Sequence, residues 1–295
     1  MNSPRATVLR SLGDRVPIKS RSIGAILTDS GRLSLEGAET VLCAQKEHGL
    51  RFGEAALHLG LVTAGDIRYA LARQFEYDCL SPGQDAVMAE VLAAFDPAHH
   101  CVESMRALRS QIMMRWLDAN ADRKGIAIVS ADAQVGRSFI AANLAVLLSQ
   151  LGKRTLLIDA DLRAPRQHHL FKLENRIGLS SILGERASFE TVVSIEDLGR
   201  LSVLPAGPLP PNPQELLARP AFTHLLDHLA SQFDVMIVDT PSWKTGSDAQ
   251  IVSARIGASI FVARADHSET RAASEFVQIL QQSGAEVLGA VINRF

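Results

Sequence analysis

Three aspartates define the chemistry this chain could carry. Asp159 and Asp161 stand two apart at the close of the apolar run 155–158, and Asp239 closes the run 235–238 before Thr240-Pro241. Carboxylates at the ends of buried strands are costly unless they are paired or bind a metal. Asp239-Thr240-Pro241 has the form of a Walker B strand end, where the aspartate could hold Mg2+ through water. The remaining ingredient is residues 131–138, Ala-Asp-Ala-Gln-Val-Gly-Arg-Ser, after the apolar run 126–129. A phosphate-binding loop reads Gly-x-x-x-x-Gly-Lys-Ser/Thr. Here Ala131 stands at the first glycine and Arg137 at the lysine. Gly136 permits close backbone approach, the loop amides and a helix N-terminus would face a phosphate, and Ser138 offers the hydroxyl that binds Mg2+. Each segment alone has a plainer reading: a strand–turn–helix without ligand, or an aspartate capping the next helix. Together they point to a Mg2+-nucleotide.

Such residues need elements to bring them together. Strands are expected at 126–129, 155–158, 201–204, 235–238, 259–263 and 287–292, with helices between several of them, notably 139–151, ended by Gly152, and 270–283. The alternation argues for an α/β fold, a mostly parallel sheet covered by helices on both faces. Ligands of such sheets lie at the carboxyl ends of the strands, where the three aspartates and the loop fall.

The rest of the chain sets bounds. Of 295 residues, 47% are hydrophobic and 21% charged, and the net charge is -2. That balance suits a soluble globular protein and gives no reason to expect nucleic acid as partner. No apolar run is long enough for a membrane span, and residues 1–16 lack the apolar core of a secretory signal. Cys43, Cys79 and Cys101 lie far apart without metal spacing, as reduced cytosolic thiols do. The expected organisation is a disordered N-terminus (1–20), a small helical module (21–80), a linker with a short helix (81–100) and the α/β domain (101–295).

The helical module is an internal repeat. Residues 22–45 align with 51–74 at a constant offset of 29, matching Gly24 with Gly53, Gly31 with Gly60, and Leu42 with Leu71. Each copy reads as a short helix, a glycine turn and a second helix opened by Ser34 or Thr63. The repeat resembles the N-terminal domain of type II secretion and pilus ATPases, one version of which binds cyclic di-GMP through two motifs opening Arg-Leu-Gly. The second copy keeps Arg51-Phe52-Gly53; the first has Ser22-Ile23-Gly24 with its arginine displaced to Arg21. The resemblance implies Arg21, Gly24, Arg51 and Gly53 as cyclic di-GMP residues, with protein docking as the alternative.

From residue 101 onward the chain resembles the bacterial tyrosine kinases of exopolysaccharide export, a P-loop NTPase family. Leu-Leu-Ile-Asp-Ala-Asp-Leu-Arg matches the family's second Walker motif and Met-Ile-Val-Asp-Thr-Pro its Walker B. Glu103, Arg106 and Arg109 match its Glu-x-x-Arg-x-x-Arg oligomerisation motif, and 204–217 its proline-rich connection. The resemblance implies ATP and Mg2+ as cofactors. Val135, Gly136, Arg137, Ser138, Phe139 and Arg163 would hold the nucleotide, while Asn293 and Arg294 would read its adenine. Ser138, Asp239 and Asp159 would position the metal, Arg137 would neutralise phosphate, and Asp159 or Asp161 would take the proton of a tyrosine hydroxyl. It also implies a homo-oligomer in the cytoplasm, peripheral to the inner membrane through a partner, the cytosolic tail of a membrane-anchored polysaccharide co-polymerase.

Three departures bear on that reading. Arginine replaces the P-loop lysine; Gln134 stands where the family has glycine; and the chain stops at Phe295 without the family's tyrosine-rich tail, its only tyrosines being Tyr69 and Tyr77. Two other functions therefore stay open: a nucleotide-binding regulator without transfer, and a partitioning or Min-type ATPase of the same fold.

Overall fold

Short runs such as Gly-Ile-Ala-Ile-Val have no polar side to turn to water, so they form strands buried on both faces. In the computed structural model, which describes residues 21–74, 80, 86–119, 124–188 and 191–295, five such runs and two edge strands make one seven-stranded sheet. The strands are β1 (Gly125–Val129), β2 (Thr155–Asp159), β3 (Val193–Ser194), β4 (Leu201–Leu204), β5 (Val235–Asp239), β6 (Ala258–Arg264) and β7 (Glu286–Asn293). Their order is β3-β4-β2-β5-β1-β6-β7. All neighbours are parallel except β3, which runs antiparallel to β4. The chain divides into two units, Met1–Glu76 and Tyr77–Phe295, and the sheet belongs to the second.

The first unit repeats itself in space as in sequence. Helices α1 (Ile23–Asp29) and α2 (Leu35–His48) form one copy, and α3 (Phe52–His58) and α4 (Ala64–Gln74) the other. Gly31 and Gly60 turn each pair at φ +70° and +66°, a conformation glycine adopts without a Cβ penalty. Ser34 Oγ accepts from Gly37 N at 3.0 Å, and Thr63 Oγ1 accepts from Asp66 N at 3.2 Å, so both expected caps form. The shared core uses the same positions twice: Ile26 with Ala55, Leu27 with Ala56, Leu33 with Val62, Val41 with Ala70. Arg32 in the first copy pairs with Asp66 in the second and lies over the Tyr69 ring, 4.4 Å from its centroid. Tyr69 is thus a half-buried packing residue, and Tyr77 lies outside the described residues.

In the second unit the helices are α5 (Leu92–Phe95), α6 (His100–Ile112), α7 (Arg137–Ser149), α8 (Gln167–Leu170), α9 (Leu179–Leu183), α10 (Pro213–Ala218), α11 (Pro220–Gln232), α12 (Asp248–Ile256) and α13 (Thr270–Gln282). Alternate strand residues feed two cores. Ile126, Ile128, Leu157 and Ile237 meet α5, α6 and α7 on one face. Ala127, Val129, Leu156 and Val238 meet α9 to α13 on the other. Helix α7 runs through the first core with every residue buried except Ser138 and Phe139, which leaves only its N-terminal turn available to a ligand.

The stretch read from the sequence as a linker, where described, packs as part of this unit. Val87, Val91, Ala93 and Ala94 are buried in the first core. Asn143 of α7 accepts from Ala93 N at 2.8 Å and donates to Glu90 O at 3.1 Å. No described helix is long and apolar enough to cross a membrane.

Candidate phosphate and metal site

Sheet register assembles the site. β5 lies between β1 and β2, and Asp239 pairs in register with Asp159 on one side and Ile128 on the other. The carboxylates therefore stand on adjacent strand ends, and the loop after β1 closes the row.

The loop holds two left-handed residues. Gly136 has φ +95°, and a Cβ there would run into the Asn293 side-chain amide. Gln134 has φ +56°, a conformation that costs a non-glycine residue roughly 1 kcal/mol. Asn293 Nδ2 donates to Val135 O at 2.7 Å, so the end of β7 holds the loop from above. From below, Trp243 N and Lys244 N donate to Ser130 O and Ala131 O. Phe139 is half-buried, and Arg294 is exposed beside Asn293.

Arg137 turns inward. It is 9% exposed; its Nε donates to Thr240 O at 2.8 Å, and its Nη1 to Asp132 O at 2.6 Å and to Ser130 Oγ. The guanidinium thus ties the loop to the end of β5. Burial lowers its proton affinity, and Asp239, Asp161 and Asp132 work against that shift. The geometry uses arginine's fork, which a lysine point charge could not copy.

The three aspartates differ in environment. Asp159 is fully buried and accepts from three backbone amides: Asp161 N at 3.2 Å, Arg166 N at 3.0 Å and Gln167 N at 2.9 Å. Burial, with Asp239 facing it, raises its carboxyl well above the ordinary range. Asp161 takes Arg163 N and Ala164 N on one oxygen, Oδ1, and keeps slight exposure at 6%. Asp239 is fully buried; burial pushes it up to about 6 against the pull of Arg137, Gln167 and Ser138.

Gln167 was not singled out in the sequence. It is fully buried and donates through Nε2 to Asp239 Oδ2 at 2.7 Å and to Ser138 O at 3.2 Å. Buried polar atoms are normally satisfied, yet Gln167 Oε1 and Asp239 Oδ1 have no hydrogen-bond partner among the described residues. Two unpartnered acceptor oxygens beside the Ser138 hydroxyl form the oxygen-donor set that a hydrated Mg2+ takes. The residues present fit that ion.

Flanking ion pairs rim the site. Arg163 bonds Asp248 Oδ2 through Nε and Nη2 at 3.2 and 3.1 Å, and Lys244 Nζ meets Asp132 Oδ1 at 2.6 Å. Arg163, expected on the nucleotide, is thus held by the start of α12. The Glu103, Arg106, Arg109 motif lies on α6. Arg106 Nη1 bonds Glu103 at 2.8 Å and Pro97 O at 2.7 Å, and Arg109 Nη1 bonds Leu147 O at 3.2 Å.

The residues suggested for cyclic di-GMP are spread over the first unit's helix starts. Gly24 seats the Phe52 ring and Gly53 the Ile67 side chain. Arg21 pairs with Asp29 at 3.2 Å across an exposed surface. Arg51 is exposed, its main-chain N bonded to Glu54 at 2.9 Å.

Comparison with known proteins finds relatives of the second unit. Residues 126–295 match the CobQ/CobB/MinD/ParA nucleotide binding domain family. The chain is 37% identical over 203 residues to the tyrosine-protein kinase YwqD of Bacillus subtilis (strain 168), covering 69% of this chain and 85% of that protein. It is 34% identical over 202 residues to the tyrosine-protein kinase Etk of Escherichia coli (strain K12), covering 68% of this chain and 28% of that one. The solved kinase domain of Escherichia coli Etk superposes with a TM-score of 0.65 at 33% identity, covering 69% of this chain and 79% of that domain.

Proposed function

The chain belongs to the bacterial tyrosine kinases of the CobQ/CobB/MinD/ParA nucleotide-binding family, and from that membership we propose that it transfers the γ-phosphoryl group of ATP to a tyrosine hydroxyl. The observation that carries the reading is Asp239, a fully buried carboxylate with an unpartnered oxygen, in register with Asp159 and beside Ser138.

The loop amides and the first turn of α7 bind the phosphates. Ser138 and Asp239, oriented by Gln167, would hold Mg2+, with Asp159 behind them, and the bound ion would supply charge neutralisation to the phosphates. Arg137 keeps the loop in its phosphate-binding shape by anchoring it to Thr240, and it adds positive charge behind the phosphates. Asp161 is the better placed base, since both its backbone donors fall on one oxygen while Asp159 is enclosed by three. The tyrosine oxygen bonds to the γ-phosphorus, its proton passes to Asp161, and the bond to the β-γ bridging oxygen breaks to release ADP. Positioning and charge neutralisation carry most of such a step.

The cellular role inferred from the family is control of exopolysaccharide polymerisation and export in the cytoplasm, through the cytosolic tail of a membrane co-polymerase. Glu103, Arg106 and Arg109 would join subunits, with Asn293 and Arg294 at the adenine. The helical module docks that machinery or senses cyclic di-GMP; calorimetry with the dinucleotide separates the two. The decisive assay is transfer of labelled phosphate from ATP–Mg2+ to tyrosine, with and without the partner's tail. Absence of nucleotide binding at millimolar ATP overturns the enzymatic reading.

A further inference from the structure

The carboxyl edge of the sheet carries a second feature, one strand away from the aspartates. Ile158 pairs with Leu204, so the segment after β4 leaves the sheet beside the Asp159–Asp161 turn. It is held rigidly. Leu179 N and Ser180 N donate to Pro205 O and Ala206 O, each at 2.8 Å. Asn175 makes two bonds to Gly207, its Nδ2 donating to Gly207 O at 3.0 Å and its Oδ1 accepting Gly207 N at 2.7 Å. Ser180 Oγ donates to Pro208 O at 2.7 Å. Gly178 allows this closeness, since a Cβ there would strike the Pro205 carbonyl.

Between this braced segment and α10 lies a groove of about 520 Å³. Among the described residues its only ionisable side chains are Arg176, Arg186 and Arg219, in a chain whose net charge is -2. Its apolar shoulder is unusually open: Ile177 is 53% exposed and Leu209 63%. Among the described residues Arg176 pairs with Glu174 alone, at 3.6 Å and exposed, which is worth little in water. A small anion would satisfy the guanidiniums but leave Ile177 and Leu209 in water. A peptide with acidic and apolar side chains matches both, and arginine's fork suits carboxylates.

We propose that this groove seats the acceptor segment of the kinase's substrate, an acidic peptide whose carboxylates meet Arg176 and Arg186 and whose apolar residue covers Ile177 and Leu209, presenting its tyrosine towards Asp161. The inference rests on the kinase reading and adds a substrate class to it.

The test uses the full chain without nucleotide. Fluorescein-labelled poly(Glu,Tyr) copolymer is titrated by anisotropy against the wild type, the double variant Arg176→Glu/Arg186→Glu and Leu209→Ser. The expected result is a Kd raised about tenfold or more in the double variant and about threefold in Leu209→Ser, with thermal melts and ATP affinity unchanged. In turnover assays the copolymer KM should rise while kcat holds. Equal affinity for wild type and double variant overturns the proposal, as does poly(Lys,Tyr) binding the wild type as tightly as the acidic copolymer. No transfer is read in the titration, so its failure leaves the kinase reading intact. A chain that binds copolymer through these arginines but transfers no phosphate overturns the kinase reading and the groove's role as an acceptor seat with it, while leaving acidic-peptide binding in place.

Discussion

At the scale of single residues, the P-loop arginine works through its fork. Arg137 spans Thr240 O, Asp132 O and Ser130 Oγ, so Arg137→Lys should lose part of a buried charged network. The expected cost is about 1–3 kcal/mol, read as a fall in the urea midpoint of the full chain; an unchanged midpoint would refute the brace. Asp161→Asn addresses chemistry instead. Removing a general base lowers kcat by roughly 100-fold or more, while the ATP dissociation constant measured by calorimetry should stay within about threefold. If turnover survives in Asp161→Asn and disappears in Asp159→Asn, the base is Asp159. The phosphate loop and the three aspartates were legible because each follows an apolar run. Gln167 and the inward turn of Arg137 were not. Their partners, Asp239 and Thr240, lie 72 and 103 residues away, and only the sheet order brings them near.

At the scale of elements, periodicity was a reliable guide where a run had one environment along its length. Expected strands 126–129 and 235–238 became Gly125–Val129 and Val235–Asp239, because short fully apolar runs bounded by glycine or polar residues leave little choice of register. The exceptions are instructive. β3 has two residues, both exposed, too few to show a period, while the 86–95 stretch reads as a connector until Asn143 supplies its hydrogen bonds. The helical repeat was legible to the position of its caps, since glycine turns and Ser or Thr caps are local. The pair joining the two copies was not. Burial alone would raise the Asp66 carboxyl, but hydrogen bonds from Thr63 and Arg32 with the Arg32 charge outweigh it and lower it below its ordinary value. A depressed acid stabilises above the unfolded value, near 3.9, and that contribution is lost as pH falls through the depressed one. Asp66→Asn should therefore speed hydrogen exchange in α1 and α4 of the full chain at pH 7. A carbon NMR titration should place wild-type Asp66 below an ordinary aspartate; a normal value would refute the pair.

At the scale of the whole molecule, a ligand that binds only the folded site stabilises it by mass action. One millimolar ATP–Mg2+ against a dissociation constant of about 10 μM would add about 2.7 kcal/mol, a melting shift of roughly 5–10 °C for a unit of this size. Chelating Mg2+ should remove most of it, and Asp239→Asn should do the same in the presence of the metal. An equal shift with and without Mg2+ would contradict the assignment of Asp239 and Ser138. One feature of the loop reaches into the folding of the chain. Val135 is held by Asn293, 158 residues further on. Contacts of such sequence separation form late, because loop closure must precede them. The sheet can pair β1, β2 and β5 before β7 arrives, but the phosphate loop acquires its roof only when β7 docks. Competence to bind nucleotide is then a late event in folding, and a chain still emerging from synthesis would hold β1, β2 and β5 paired before it held a closed loop.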